Sequence, residues 1–298
     1  MEIKGDISLY FNDNLPNSNI HKITRFYMTN IAFIGAGNMN SAIISGLIKT
    51  GYDANKVMVS NPSPEKRQTL AKQLNIQETS DNIVAAKFAD YIVLGVKPHL
   101  IASVCQQISA EIDVSNKCFI SVAAGCSIET MEKALNQPCS VIRTMPNTPS
   151  QIRLGVSGIY PSSHTNAQQK ALAEQLMSAV GITKWLDNED EIDHIIAVTG
   201  SAPAYFFLFM EAIEKHAITL GFTAKESREL VQQTALGAAQ MVANNDMPIS
   251  ELRENVNSKG GTTQAALTTF IDGGLEQLVT KAMNSALHRA KEMAQNNS

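Results

Sequence analysis

The chain has 298 residues, enough for two domains of ordinary size, and its 44% hydrophobic and 17% charged content excludes an intrinsically disordered protein. A formal net charge of -4 without any basic block gives neither nucleic acid nor an anionic membrane an electrostatic hold, so the expected partner is a small molecule. Four scattered cysteines, Cys105, Cys118, Cys126 and Cys139, form no C-x-x-C pair and no metal-ligand spacing with histidine, which implies reduced cytoplasmic thiols and no metal site.

Residues 1–27 are polar throughout, do not read as a secretory signal, and are expected to be a disordered tail or an upstream extension ahead of Met28. From residue 28 to 187, short β-rich runs alternate with helix-length segments: "NIAFI", "KVMVS", "DYIVLGV", "KCFISVA", "SVIRTM", "VSGIY" and "ITKWL". Such alternation calls for right-handed crossovers and a doubly wound, mostly parallel sheet, a Rossmann-type α/β domain. Residues 188–298 read as all helical. Pro203 opens one helix and Gly221 closes it, Thr223 and Glu226 form a capping box for the next, and Gly273 with Gly274 separates the last two.

The longest apolar run, "APAYFFLFM" over Ala202 to Met210, is about half of what a bilayer core requires, so no membrane partner is expected. The helix after Pro203 is nevertheless apolar all round, and the following one carries a small-residue face at Ala235, Gly237, Ala238 and Ala239. A helix with no wet face is normally buried, and a helical domain of about 110 residues has little interior to enclose it. Burial against a second subunit is the expectation.

In "NIAFIGAGNMN", Gly35 and Gly37 stand directly after the first strand and before a helix, the context of a dinucleotide-binding turn. Gly35 serves the tight turn and Gly37 the approach of pyrophosphate, with Ile34, Ala36, Asn38 and Met39 completing the loop. Asn40 occupies the third position, where a glycine or alanine usually permits close helix-to-strand packing; cofactor binding is still expected, and the exact loop geometry is left to the structure. The second strand ends "VMVSNPSPEKR". Ser60, Asn61 and Ser63 stand where an NAD site would place a carboxylate, so NADPH is preferred and NADH possible; Lys66 and Arg67 read as a solvated helix face. Gly95, Val96, Lys97 and Pro98 follow another strand, and Val122, Ala123, Ala124 and Gly125 a further one, at carboxyl ends where a parallel sheet meets its ligand; the small residues leave room for a flat nicotinamide.

Further on, "NVNSKGGTTQAAL" sets two glycines and two threonines before an apolar run. A helix start has unpartnered N–H groups and a partial positive charge, so a ligand carboxylate or phosphate could dock there; the plain alternative is a glycine-rich turn capped by Thr262.

Taken in order, "FIGAGNM", "VKP", "AAG", "MPNTP", "GSAPAY" and "SKGGTT" resemble the pyrroline-5-carboxylate reductases, from about Ile31 to the end of the chain. Asn40, Ala202, Asn257 and Lys259 depart from that family's pattern. The resemblance implies hydride transfer from NAD(P)H to the imine carbon of 1-pyrroline-5-carboxylate, yielding L-proline in the final step of proline biosynthesis. It implies a homodimer, often gathered into a decamer, and adds Asn82 to the cofactor-binding residues. It also makes Thr263 the active-site threonine that hydrogen-bonds the imine nitrogen. Gly261, Thr262 and Thr263 would take the carboxylate, Asn255 and Ser258 would support the loop, and Asp246 would lie near the ring.

A protonated imine already carries its proton and its positive charge, so a hydroxyl partner suffices where ketone reduction would need a strong acid. Related hydroxyacid dehydrogenases use a lysine for that work, and the nearest candidates, Lys215 and Lys225, read as exposed helix positions. The alternatives are another imine or hydroxyacid reductase of the same architecture, and a catalytically idle NAD(P)H-binding protein.

Overall fold

The computed structural model describes residues 29–296; the tail expected over 1–27 lies outside them. The chain divides into two compact units, one ending at Ile192 and including the C-terminal residues from Met293, the other Asp193–Glu292.

The first unit is built on eight strands among the described residues: β1 (Ile31–Ile34), β2 (Val57–Ser60), β3 (Gln77–Thr79), β4 (Tyr91–Leu94), β5 (Cys118–Ser121), β6 (Ser140–Met145), β7 (Gly155–Pro161) and β8 (Gly181–Trp185). They lie in the order β3-β2-β1-β4-β5-β6-β7-β8. The chain runs outward from β1 to β3 and then returns to place β4 on the other side of β1. At this reversal the carboxyl ends of β1 and β4 lie side by side, the place where open α/β sheets receive ligand.

Helices α1 (Asn38–Lys49), α2 (Pro64–Leu74), α3 (Asn82–Phe88), α4 (Ile101–Glu111) and α5 (Ile128–Ala134) connect the first six strands, and α6 (Ala167–Ser178) connects β7 to β8; these pairings are parallel. A short 3-10 turn, Thr148–Ile152, joins β6 to β7, and that pair is antiparallel because the link is too short for a crossover.

Strands β1, β2, β4 and β5 are buried along their whole length. Alternation along β1 divides the core: Ile31 and Phe33 pack with Ile43, Ile44 and Leu47 of α1, whereas Ala32 and Ile34 pack in the cluster containing Ile101, Cys105 and Ile108 of α4. β3 has no counterpart among the strands expected from the sequence. Its three residues, Gln-Glu-Thr, are polar, and as an edge strand it pairs with β2 alone, so no apolar pattern marks it.

In the helical unit, α7 (Glu191–Ile195) runs into a π-helical turn, Ile196–Gly200, followed by α8 (Ala202–Thr219), α9 (Ala224–Ala243), α10 (Ile249–Asn255), α11 (Thr262–Asp272) and α12 (Leu275–Asn296). Pro203 lies in the first turn of α8, and Gly221 follows it with φ +104°. The Thr223–Glu226 capping box is formed: Thr223 Oγ1 accepts from the Glu226 amide while the Glu226 carboxylate accepts the Thr223 N–H at 2.8 Å. All 18 residues of α8 are half-buried or exposed within this chain, including Phe206, Phe207 and Leu208 at 69, 64 and 67%. The helical stretch Glu191–Thr219 is long and apolar enough to cross a membrane by length and composition alone. The nine-residue run seen in the sequence understates it, because helical backbone continues upstream through the π turn.

Candidate active site

At the reversal of strand order, Gly35 adopts φ +101° and donates its N–H to the Ser60 carbonyl at 2.7 Å. A Cβ at Gly35 would approach the Gly95 carbonyl to 2.7 Å, so both backbone conformation and space require glycine. Gly37 caps α1 without a side chain, leaving the first-turn N–H groups of exposed Asn38 and half-buried Met39 at a helix N-terminus suited to an anion. The Ala36 N–H donates to Asn61 Oδ1 at 3.1 Å, which ties this turn to the tip of β2. Ile34 is a core residue, and its carbonyl accepts from Gly95 N–H at 2.9 Å. Asn40 is accommodated inside the turn: it is 1% exposed, and its Nδ2 donates to the Ile34 and Gly35 carbonyls at 3.2 and 2.8 Å.

The β2 tip is bonded to its neighbours. Ser60 is buried and donates its hydroxyl to Asn82 Oδ1 at 2.7 Å, while Asn61 Nδ2 donates to the Ser63 carbonyl at 3.3 Å. Arg67 is not solvated; its side chain is 13% exposed and pairs with Glu78 on β3. Its other donor end reaches the Asn61 and Pro62 carbonyls, each at 3.1 Å. One guanidinium therefore fixes the loop and offsets the carboxylate it is paired with. The sequence hides this pairing because it spans an edge strand that carries no pattern.

Beyond the carboxyl end of β4, Gly95 and Val96 are half-buried, Lys97 is exposed, and Pro98 begins a 3-10 turn, Pro98–Leu100, before α4. Val122, Ala123 and Ala124 follow β5. Ser121 shapes this loop by accepting the Ala123 N–H on its hydroxyl at 3.2 Å, and Thr144 of β6 donates to the Ser121 carbonyl at 3.0 Å. A part-buried ion pair unmarked in the sequence lies close by: Arg143 of β6 meets Glu189 at 2.7 Å, and the same carboxylate oxygen accepts the Ile128 N–H at 2.8 Å. Burial pushes the nearby Cys126 thiol up to about 11, which keeps it protonated and unreactive at neutral pH.

In the helical unit the second candidate region is the start of α11. Its N-cap is Gly261, with φ -83° and ψ 172°, and Thr262 is the first residue inside the helix, so Thr262 does not cap it. Gln264 takes over part of that work by accepting the Gly260 N–H on Oε1 at 2.6 Å, while Gly260 turns the chain with φ +75°. The Gly261 N–H is engaged with the Ser258 carbonyl at 3.0 Å. The first-turn N–H groups open to a ligand are thus those of Thr262, Thr263 and Gln264. Thr263 is half-buried; Asp246 and Ser258 are exposed. Asn255, also exposed, ends α10 and donates to the Met247 sulfur at 3.5 Å, which tethers it to the loop carrying Asp246. Lys215 and Lys225 are exposed, each on a helix beside a glutamate.

A glycine turn at the switch point of a parallel sheet, followed by a helical unit with a second anion-suited turn, defines a two-domain, nucleotide-dependent oxidoreductase. Residues 30–125 match the family described as NADP oxidoreductase, coenzyme F420-dependent, and residues 189–293 match pyrroline-5-carboxylate reductase dimerisation. The chain is 50% identical over 264 residues to a pyrroline-5-carboxylate reductase of Vibrio alginolyticus, covering 88% of this chain and 97% of that one. Among solved structures it is similar to a pyrroline-5-carboxylate reductase from Coxiella burnetii, with a TM-score of 0.85 and 41% identity over 89% of this chain and 98% of that one. The Plasmodium falciparum pyrroline carboxylate reductase with NADP bound matches with a TM-score of 0.80 and 27% identity, over the same shares. The chain belongs to the pyrroline-5-carboxylate reductase family.

Proposed function

We infer that this protein reduces 1-pyrroline-5-carboxylate to L-proline, the last step of proline biosynthesis, with NADPH as preferred reductant and NADH as a weaker one. The observation that carries this reading is the 50% identity to a pyrroline-5-carboxylate reductase across 97% of that relative, with all six motif stretches in place. Residues 28–187 bind the cofactor, and residues 188–298 supply the substrate and dimer surfaces.

NADPH supplies the hydride when bound. The turn over Gly35, Ala36 and Gly37 and the N-terminus of α1 hold its pyrophosphate. The Ser60–Asn61 tip, held by Asn82 and Arg67, accepts the 2′-phosphate, and residues 95–98 and 122–124 hold the nicotinamide end. For the substrate, the N–H groups of Thr262, Thr263 and Gln264 bind the carboxylate, and the Thr263 hydroxyl accepts a hydrogen bond from the protonated imine nitrogen. Asp246, Asn255 and Ser258 shape the surrounding loops. When hydride reaches the imine carbon, the π pair of the C=N bond becomes the nitrogen lone pair and the positive charge disappears. No side chain has to deliver a proton in that step, which accords with a threonine rather than a lysine at the centre.

The helices pair two chains into a homodimer, and a decamer built from five such dimers is the larger assembly the reading allows. Four free, buried thiols suit the cytoplasm. The test is the purified full chain with 1-pyrroline-5-carboxylate and NADPH, followed at the cofactor absorbance, with proline identified as product. NADPH binding without turnover would return the idle-protein reading, and turnover of 2-keto acids instead would return the hydroxyacid reductase.

A further inference from the structure

We propose that Asn40 is a positioning residue for the dinucleotide turn, and that it can act as one only because residue 95 is glycine. The proposal rests on the cofactor assignment above and concerns how this chain builds that site without a small third residue. In the usual arrangement that residue lets α1 approach β1 closely. Here a carboxamide fills the place and fastens the turn directly.

The observations interlock. Asn40 Nδ2 reaches two carbonyls, Ile34 at 3.2 Å and Gly35 at 2.8 Å. Two acceptors on one side fix which end of the amide faces them, since the opposite flip would set oxygen against oxygen. The Ile34 carbonyl also accepts from Gly95 N–H at 2.9 Å, so both residues bond to the end of β1. A Cβ built on Gly95 would fall inside the Asn40 carboxamide, while one on Gly35 would reach the Gly95 carbonyl at 2.7 Å. Asn40 Oδ1 is buried with no hydrogen-bond partner among the described residues. A side chain kept for volume alone would not carry that unpaired oxygen, so the donor end accounts for its retention. By holding the Gly35 carbonyl, Asn40 presets the positive-φ turn whose amides face the pyrophosphate, and a preset loop loses less freedom on binding.

The test uses the full chain as wild type, Asn40→Ala, Asn40→Leu, Gly95→Ala and the Asn40→Ala/Gly95→Ala double variant. NADPH affinity is read by fluorescence titration, and KM is measured separately for NADPH and for pyrroline-5-carboxylate. Leucine keeps the branched heavy-atom outline of asparagine, is somewhat bulkier, and removes its donors; alanine removes the donors without added bulk. Both Asn40→Leu and Asn40→Ala should weaken NADPH about tenfold, with KM for the imine within about twofold of wild type. Gly95→Ala should be worse than either, yet should add nothing once Asn40 is alanine, a non-additivity that marks direct contact. If Gly95→Ala does not fold, the double variant should still fold, and its failure would overturn the interlock. Wild-type NADPH affinity in Asn40→Leu, or a double variant equal to the product of the singles, would also overturn the proposal. Melting of the same proteins without cofactor reads the 40–95 coupling alone. A wild-type chain that failed to bind NADPH would therefore sink the cofactor reading, while additive melting shifts in the double variant would sink the interlock.

Discussion

The two units satisfy their apolar side chains in opposite ways. The sheet unit encloses two clusters of buried residues, one on each face, and four of its strands are buried along their whole length. The helical unit buries little beyond Ala197, Ser227, Val231 and Ala290, while Phe206, Phe207, Leu208, Leu236, Phe270 and Leu278 are exposed. Contiguous apolar surface on that scale marks an interface, and the dimerisation family spans the same residues. Self-sufficiency is therefore a property of the sheet unit, whereas the helical unit leaves apolar side chains for a partner to cover.

The largest effect expected from this contrast comes from placing a charge on α8. Phe207→Asp would bury an unpaired carboxylate between subunits; light scattering should then give the mass of one chain and activity should be lost, while NADPH titrates within about twofold of wild type because the sheet unit needs no partner. A dimeric, active Phe207→Asp protein would break the comparison.

Next in size is Thr263→Ala, which on the proposed mechanism removes a positioned polar contact to a charged group and should cost about 2 to 4 kcal/mol in the transition state, roughly 30-fold to several hundred-fold in kcat/KM. Thr262→Ala sharpens the point. Thr262 keeps its N–H and does not cap α11, so its loss should stay within about 0.5 kcal/mol of stability and leave turnover near wild type. Equal losses in the two variants would move the chemistry to another residue.

Arg67→Ala should narrow the preference for NADPH over NADH about tenfold, measured as the ratio of kcat/KM values, because Glu78 is then left unpaired beside the Ser60–Asn61 loop proposed for the 2′-phosphate. An unchanged ratio would remove Arg67 from the cofactor site.

The smallest expected signal is a null one in the sheet unit. Burial pushes Cys105 and Cys118 up to about 12 and Cys126 and Cys139 up to about 11, so the thiols remain neutral through ordinary assay pH. A thiol reagent should label the folded protein slowly and label all four positions on denaturation. Rapid labelling of the native chain would show that the sheet core opens more readily than its packing implies.

Much of the architecture is legible in residue patterns: the alternating strands, the glycine turn after β1, the Thr223 cap and the helices beyond Asp187. What stays hidden depends on side chains meeting across sequence. Arg67 reads as solvated because Glu78 lies on a strand too polar and too short to announce itself. Asn40 reads as a departure from the pattern because its complement, Gly95, is 55 positions away. Thr262 reads as a cap because threonine favours that role, yet Gly261 holds the extended conformation that the cap position requires. Local propensity identifies elements, whereas the bonds that complete a site are set by the tertiary fold.

The position of β8 also bears on how the chain is made. The sheet's last strand ends at Trp185, so every strand has been synthesised before α8 begins at Ala202. At about 5 to 20 residues per second, the remaining helices take several seconds or more to emerge from the ribosome, long enough for the cofactor unit to close its core. Both core clusters of the sheet unit draw on residues no later than Trp185, so a newly made chain can close them while its apolar helices still lack a partner and its last residues, from Met293, have yet to join that unit. Quality control has most reason to watch the chain in that interval, and a ligand that binds the sheet unit would steady it while the helices are still looking for their twin.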